Sequence, residues 1–169
     1  MIVSIADFSA GKYELHTGMY DQARIQDYIE LYEKPYLQKL LGAELYDEFE
    51  ADLIAGSGTP TEVRFQKILD PFHEDYNFDV VISEGMKEML LGLIYFEYAK
   101  DLSNQMTING LVKPQGENSK DISTLNAMYY TRFNRSVRTY KAIQKYIYWI
   151  KSEDYPNRNG QNLQFAYWL

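Results

Sequence analysis

A chain of 169 residues with no cysteine and a net charge of −7 at pH 7 has no disulfide framework and no thiolate metal centre, and its acidity argues against general nucleic-acid binding. The length fits one domain, and a hydrophobic share of 46% is ordinary for one. The aromatic load of 16 Tyr, 8 Phe and 2 Trp suits either a core or surfaces that become interfaces.

The opening residues Met1 to Asp7 lack the basic flank and apolar run of a signal peptide. Tyr13 to His16 alternate as a short strand does. Asp21 is placed to cap a helix carrying Ile25, Tyr28, Ile29 and Tyr32 on one face, with a bend or break at Pro35 and a C-cap at Gly42. A second helix is expected from about Ala43 to Ile54, with Leu45, Phe49 and Leu53 on its apolar side. Thr59-Pro60-Thr61-Glu62 has the order of a capping box with Pro at the first helical position, so a third helix should start there and stop before Pro71.

Residues 71–82 read as an irregular connection, with Asp79 to Ile82 briefly extended. Ser83 is placed to cap the next helix, which runs to about Asn104. Its apolar residues go nearly all round, as in a central buried helix. Its densest apolar run, Met89 to Phe96, is far shorter than the ~20 residues a bilayer requires, so no membrane association is expected and the chain reads as soluble and cytoplasmic. Asn109-Gly110 between apolar flanks predicts a hairpin over Thr107–Val112.

The last helix is expected from about Asp121 to Lys151, some ~45 Å long at the helical rise. Tyr129, Phe133, Val137, Tyr140, Ile143, Ile147 and Ile150 form a nearly heptad seam on it, read mainly as packing within the chain. The fold class expected is thus mainly α: a helical bundle over residues 1–151 with a long C-terminal helix and a small β-hairpin. Residues 152–169 follow as a linker and an extended C-terminal tail.

Charge is divided unevenly. Residues 1–119 carry −12 and residues 120–151 carry +6. Arg132, Arg135, Arg138, Lys141 and Lys145 form a basic stripe on the last helix, expected to face acidic surface on an adjacent subunit; the helix with Asp47, Glu48 and Asp52 is one candidate. Neutralisation within the chain is the alternative. In the tail, Leu163, Phe165, Tyr167 and Leu169 alternate with Gln164, Ala166 and Trp168, as in an extended strand. Phe165, Tyr167, Trp168 and Leu169 are expected to dock on a neighbouring subunit rather than fold back.

No nucleophile elbow, phosphate loop or dinucleotide fingerprint is present. His73-Glu74-Asp75, with Glu84, Glu88 and Glu97, is the best metal candidate, but no Glu has a His three residues on, as a di-iron helical site needs. His16, His73 and their carboxylate neighbours are therefore expected to bind no catalytic metal. No cofactor is expected.

Tyr28-Ile29, Glu33-Lys34-Pro35-Tyr36-Leu37 and Leu40-Leu41-Gly42-Ala43-Glu44-Leu45-Tyr46 resemble the opening of tailed-phage head–tail connector (adaptor) proteins. The order that follows, a buried helix near Gly85, then Thr107 to Gly110, then a long closing helix, is also similar. The resemblance spans roughly residues 20–150 and rests on apolar positions and helix breaks. It implies a virion subunit of the neck region, assembled in the host cytoplasm into a homo-oligomeric ring, commonly a dodecamer. Such a ring sits between the portal protein and the tail or tail-completion protein. DNA passes through its channel without sequence-specific binding, and the resemblance implies no catalysis. The competing reading is a small helical enzyme or regulatory protein with a buried polar site.

Overall fold

The structure is a computed structural model and describes residues 1–15, 22–103, 105–107, 110–112 and 123–166. Among the described residues five α-helices carry it: α1 (Gln22–Leu41), α2 (Ala43–Ala55), α3 (Val63–Leu69), α4 (Met86–Ser103) and α5 (Ser123–Lys145). Two antiparallel hairpins interrupt them, β1 (Phe72–Tyr76) with β2 (Asp79–Ser83), and β3 (Gln105–Thr107) with β4 (Gly110–Val112). The mainly α class is as the sequence reads, and a small hairpin lies where one was expected over Thr107–Val112, but its first strand starts at Gln105 and Gly110 is paired with Thr107 in the ladder. No helix among the described residues is long and apolar enough to cross a membrane.

The centre is α4. Met86, Met89, Leu90, Leu93, Ile94 and Tyr98 are all buried, and the helix packs between α5 and α1. Gly92 lets α5 come close, since a Cβ there would collide with the Ser136 hydroxyl. The α5 seam is spent inside the chain: Phe133, Val137, Tyr140, Ile143 and Ile147 are buried. Beyond Lys145 the helix widens into a π turn, Tyr146–Ile150, closed by the Lys151 amide donating to the Tyr146 carbonyl at 2.9 Å.

Several local expectations give way to tertiary contacts. Pro35 does not end α1, which runs through it. The carbonyl that Pro35 leaves without a helical amide belongs to Leu31, whose residue is 60% exposed, so water can serve it. Tyr13 lies in a 3-10 turn, Gly11–Tyr13, rather than a strand, and its buried ring packs on Tyr95; His16 lies outside the described residues. Residues 72–83 form a hairpin rather than an irregular connection.

The third helix starts at Val63, not Pro60. The two residues that lead into it are held by Asp52 of α2, a residue only 7% exposed, which accepts from the Thr61 amide at 2.9 Å, from the Glu62 amide at 3.1 Å and from the Thr61 hydroxyl. Burial acts to raise the Asp52 carboxyl, but these hydrogen bonds outweigh it and hold the group below its ordinary value. Asp79 is lowered as well, chiefly by its hydrogen bond from Lys145. A lowered folded-state value means stability that is complete above the unfolded value, about 3.9 for Asp, and lost as pH falls through the folded value. The thermal midpoint should therefore drop steeply below about pH 4, and Asp52→Asn, less stable at neutral pH, should flatten that acid limb. A midpoint equally acid-sensitive in both proteins would rule Asp52 out as a source.

Candidate protein-contact surfaces

The basic stripe of α5 is partly consumed within the chain. Arg135 Nε meets Glu84 Oε1 at 2.5 Å, and Lys145 pairs with Asp79. Arg132 lies over the Tyr95 ring, 4.9 Å from its centroid, and Lys141 over Phe165 at 4.0 Å. Arg138 alone of the five is exposed with no ion pair among the described residues. The acidic partner surface suggested by sequence is also engaged in part: Asp52 caps α3, and Glu48 accepts from Arg64 at 3.0 Å and from Asn157 at 2.5 Å. Asp47 remains exposed. Neutralisation within the chain, the alternative weighed above, accounts for Arg135 and Lys145.

The segment after α5 is not a loose linker. Tyr155 is 1% exposed, between Phe65 and Tyr146, and its hydroxyl donates to the Arg64 carbonyl at 2.5 Å. Further on, the chain straps the end of α1. The Asn159 amide donates to the Leu41 carbonyl at 3.1 Å and the Gln161 amide to the Lys39 carbonyl at 2.6 Å, filling two of the acceptors a helix end leaves open. Tyr140 and Gln144 both donate to the Gln161 carbonyl, at 2.5 and 2.8 Å. The extended tail then follows α5, where the Asn134 amide group closes a two-bond ring on the Ala166 backbone, 2.8 and 2.9 Å. Leu163 and Phe165 are half-buried on this chain's own core, against the expected docking of Phe165 on a neighbour. Tyr167, Trp168 and Leu169 lie outside the described residues.

Sequence reading missed the most prominent surface feature, the tip of the β1–β2 hairpin. Register pairs Phe72 with Ser83, Glu74 with Val81 and Tyr76 with Asp79 on the face toward α5. The opposite face pairs His73 with Ile82 and Asp75 with Val80, leaving Val80 49% and Ile82 64% exposed. Asn77 and Phe78 make the turn, with φ of 49° and 65°. Positive φ at both central residues is the type I′ pattern, for which Asn-Gly is the favoured pair. Phe occupies the glycine position here, in a region that costs an L-residue roughly 1–2 kcal/mol, and its ring is wholly exposed. The fold gains nothing from that ring.

Met1 and residues of α1 and α2 line a groove of about 280 Å³, with Leu37, Phe49, Leu53 and Ile54 among its apolar residues and Glu30, Lys34 and Glu50 among its charged ones. Ile54 is 74% exposed. The carboxylates of the sequence's metal candidate are dispersed. His73 is exposed, 3.7 Å from Asp75; Glu84 and Glu88 share Lys12; Glu97 accepts from the Tyr36 hydroxyl at 3.0 Å. No group of three or more His, Asp and Glu side chains among the described residues is placed to hold a metal ion.

Set against known protein families, curated proteins and solved structures, the chain matches none.

Proposed function

We propose that this chain is a structural assembly subunit of the head–tail connector kind, forming a ring, commonly of twelve copies, between portal and tail. It works through protein contacts, without catalysis or cofactor, in the neck of a virion assembled in the host cytoplasm. The observation that carries a contact role is Phe78: a bulky residue held at positive φ, wholly exposed, beside exposed Val80 and Ile82 on one hairpin face. Strain retained where the fold has no use for it points to a partner that does. An apolar patch on a soluble chain points the same way. The connector assignment itself rests on the resemblance of the Glu33–Leu37 and Leu40–Tyr46 segments, which form the α1–α2 corner. The net charge of −7 suits a channel wall that does not grip passing DNA.

The direct test is to mix the purified chain with the portal protein encoded beside it and image the particles. A ring of this chain seated on the portal is expected. A chain that stays free of the portal at every concentration would refute the connector reading.

A further inference from the structure

The strap over the end of α1 carries a reactive pair, Asn159-Gly160. We propose that Asn159 is a site of spontaneous covalent modification, its side-chain amide displaced by the Gly160 nitrogen, and that the conversion loosens the strap. The site stands whether or not copies of the chain form a ring.

Asparagine is a thermally labile residue. Its lability is greatest before glycine, where no side chain shields the attacking nitrogen. The fold requires that glycine. A Cβ at position 160 would collide with the Leu40 carbonyl oxygen, so the close crossing over α1 is open to glycine alone. It does not require the asparagine side chain. Asn159 is exposed, and among the described residues its carboxamide makes no hydrogen bond. The Gly160 amide makes none either: the strap is held by the Asn159 amide on Leu41 and the Gln161 amide on Lys39, and the nitrogen between them is left out. Both reacting groups are therefore available. Elsewhere one or the other is missing. Asn134 is closed on the Ala166 backbone, Asn157 donates to Glu48, and Asn77 and Asn162 precede Phe78 and Leu163, whose side chains crowd the nitrogen. The other Asn-Gly step, Asn109-Gly110, has its glycine in the β3–β4 ladder opposite Thr107.

In the reaction the Gly160 nitrogen bonds to Asn159 Cγ, the side-chain nitrogen leaves as ammonia, and the Gly160 proton passes through water to that ammonia. The succinimide ring then takes up one water. It opens to aspartate, or to isoaspartate, in which the main chain runs through Cβ and Cγ. Nothing is oxidised or reduced. Attack needs rotation about the Asn159 Cα–C bond against the two flanking hydrogen bonds, so its rate follows how often the strap lifts.

Either product acts on the strap. Both place a carboxylate at the C-terminal end of α1, where the helix dipole is negative. Isoaspartate also adds one carbon to the main chain between the two amides that pair with Leu41 and Lys39, at 3.1 and 2.6 Å. Those two bonds cannot both keep their register, and the Gln161 carbonyl held by Tyr140 and Gln144 shifts with them.

The whole chain is incubated warm at mildly alkaline pH, sampled over days and mapped by peptide mass spectrometry, with isoaspartate scored by protein isoaspartate methyltransferase. Asn159 should convert at least tenfold faster than Asn134, Asn157 or Asn162. The aged chain should unfold at a lower temperature and lose exchange protection at the Gln161 amide. Asn159→Ser, which retains Asn109-Gly110, should start at the parental midpoint and keep it through the incubation. Gly42→Ala, which lifts the strap, should speed the conversion of Asn159. Conversion of Asn157 or Asn162 ahead of Asn159 overturns the site. Conversion of Asn159 that leaves the midpoint and Gln161 protection unchanged overturns its effect on the strap.

Discussion

Tyr155→Ala is expected to cost about 3–5 kcal/mol of folding stability, the usual loss for truncating a buried aromatic ring. In a chain of this length that lowers the thermal midpoint by on the order of 10 °C. The residue is 1% exposed, and its ring lies 6.5 Å from that of Phe65 and 6.2 Å from that of Tyr146, centroid to centroid. Tyr155→Phe separates the parts. It keeps the ring but leaves the Arg64 carbonyl without its donor, and should cost about 1 kcal/mol. Denaturant unfolding of the two variants measures both terms. Were residues 152–162 a free linker, each change would fall within about 0.5 kcal/mol of zero, as surface substitutions do.

Gly42→Ala carries the second large effect, and it tests the strap on α1. Gly42 has φ +89°, and a Cβ there would sit 2.6 Å from the Asn159 backbone nitrogen. Positive φ alone costs an alanine roughly 1–2 kcal/mol. The collision is with main chain, which cannot swing aside as a side chain can, so the strap must lift and release its bonds to Leu41 and Lys39. A total of about 2–4 kcal/mol is expected. Gly58→Ala is the control: φ is +99° and nothing lies within 4 Å of the added carbon, so it reports the conformational part by itself. Hydrogen exchange supplies a local readout. The Asn159 and Gln161 amides should lose protection in Gly42→Ala and keep it in Gly58→Ala. Equal losses of stability in the two variants would mean that Asn159 does not press on Gly42.

These effects also show which parts of the fold a single sequence reveals. The buried faces of α4 and the α5 seam are legible because helical periodicity is local, and the burial of Leu93, Val137 and Ile143 follows from it. Asn109-Gly110 marked the place of the β3–β4 hairpin but not its register, since Gly110 lies in β4 opposite Thr107. The β1–β2 hairpin was not legible, because Asn77-Phe78 puts a bulky ring where the turn favours glycine, and because the run His73-Glu74-Asp75 in β1 looks like loop. The start of α3 was misread for another reason. Thr59 to Glu62 has the local order of a capping box, but Asp52, seven residues before Thr59, reaches the Thr61 and Glu62 amides first. The strap over 155–161 is polar, so composition marks it as linker. Its attachment uses backbone groups and close approach at Gly42 and Gly160, information that exists only once α1 and α2 are packed. Among the contact residues, the charge of the α5 stripe was legible, but not its pairing with Glu84 and Asp79. Phe78 escaped because exposure of a single aromatic residue has no sequence signature.

The most direct measurement is made on Phe78→Gly, with stability and assembly read in parallel. Glycine restores the Asn-Gly turn and removes about 1–2 kcal/mol of strain, against roughly 0.5–1 kcal/mol of added chain entropy in the unfolded state. The monomer should thus unfold at the same denaturant concentration as the parent or slightly higher. Assembly onto the portal should fall at least tenfold. A variant more stable and less able to assemble separates a side chain kept for a partner from one kept for the fold. Assembly at parental strength by Phe78→Gly would contradict the contact role of the hairpin.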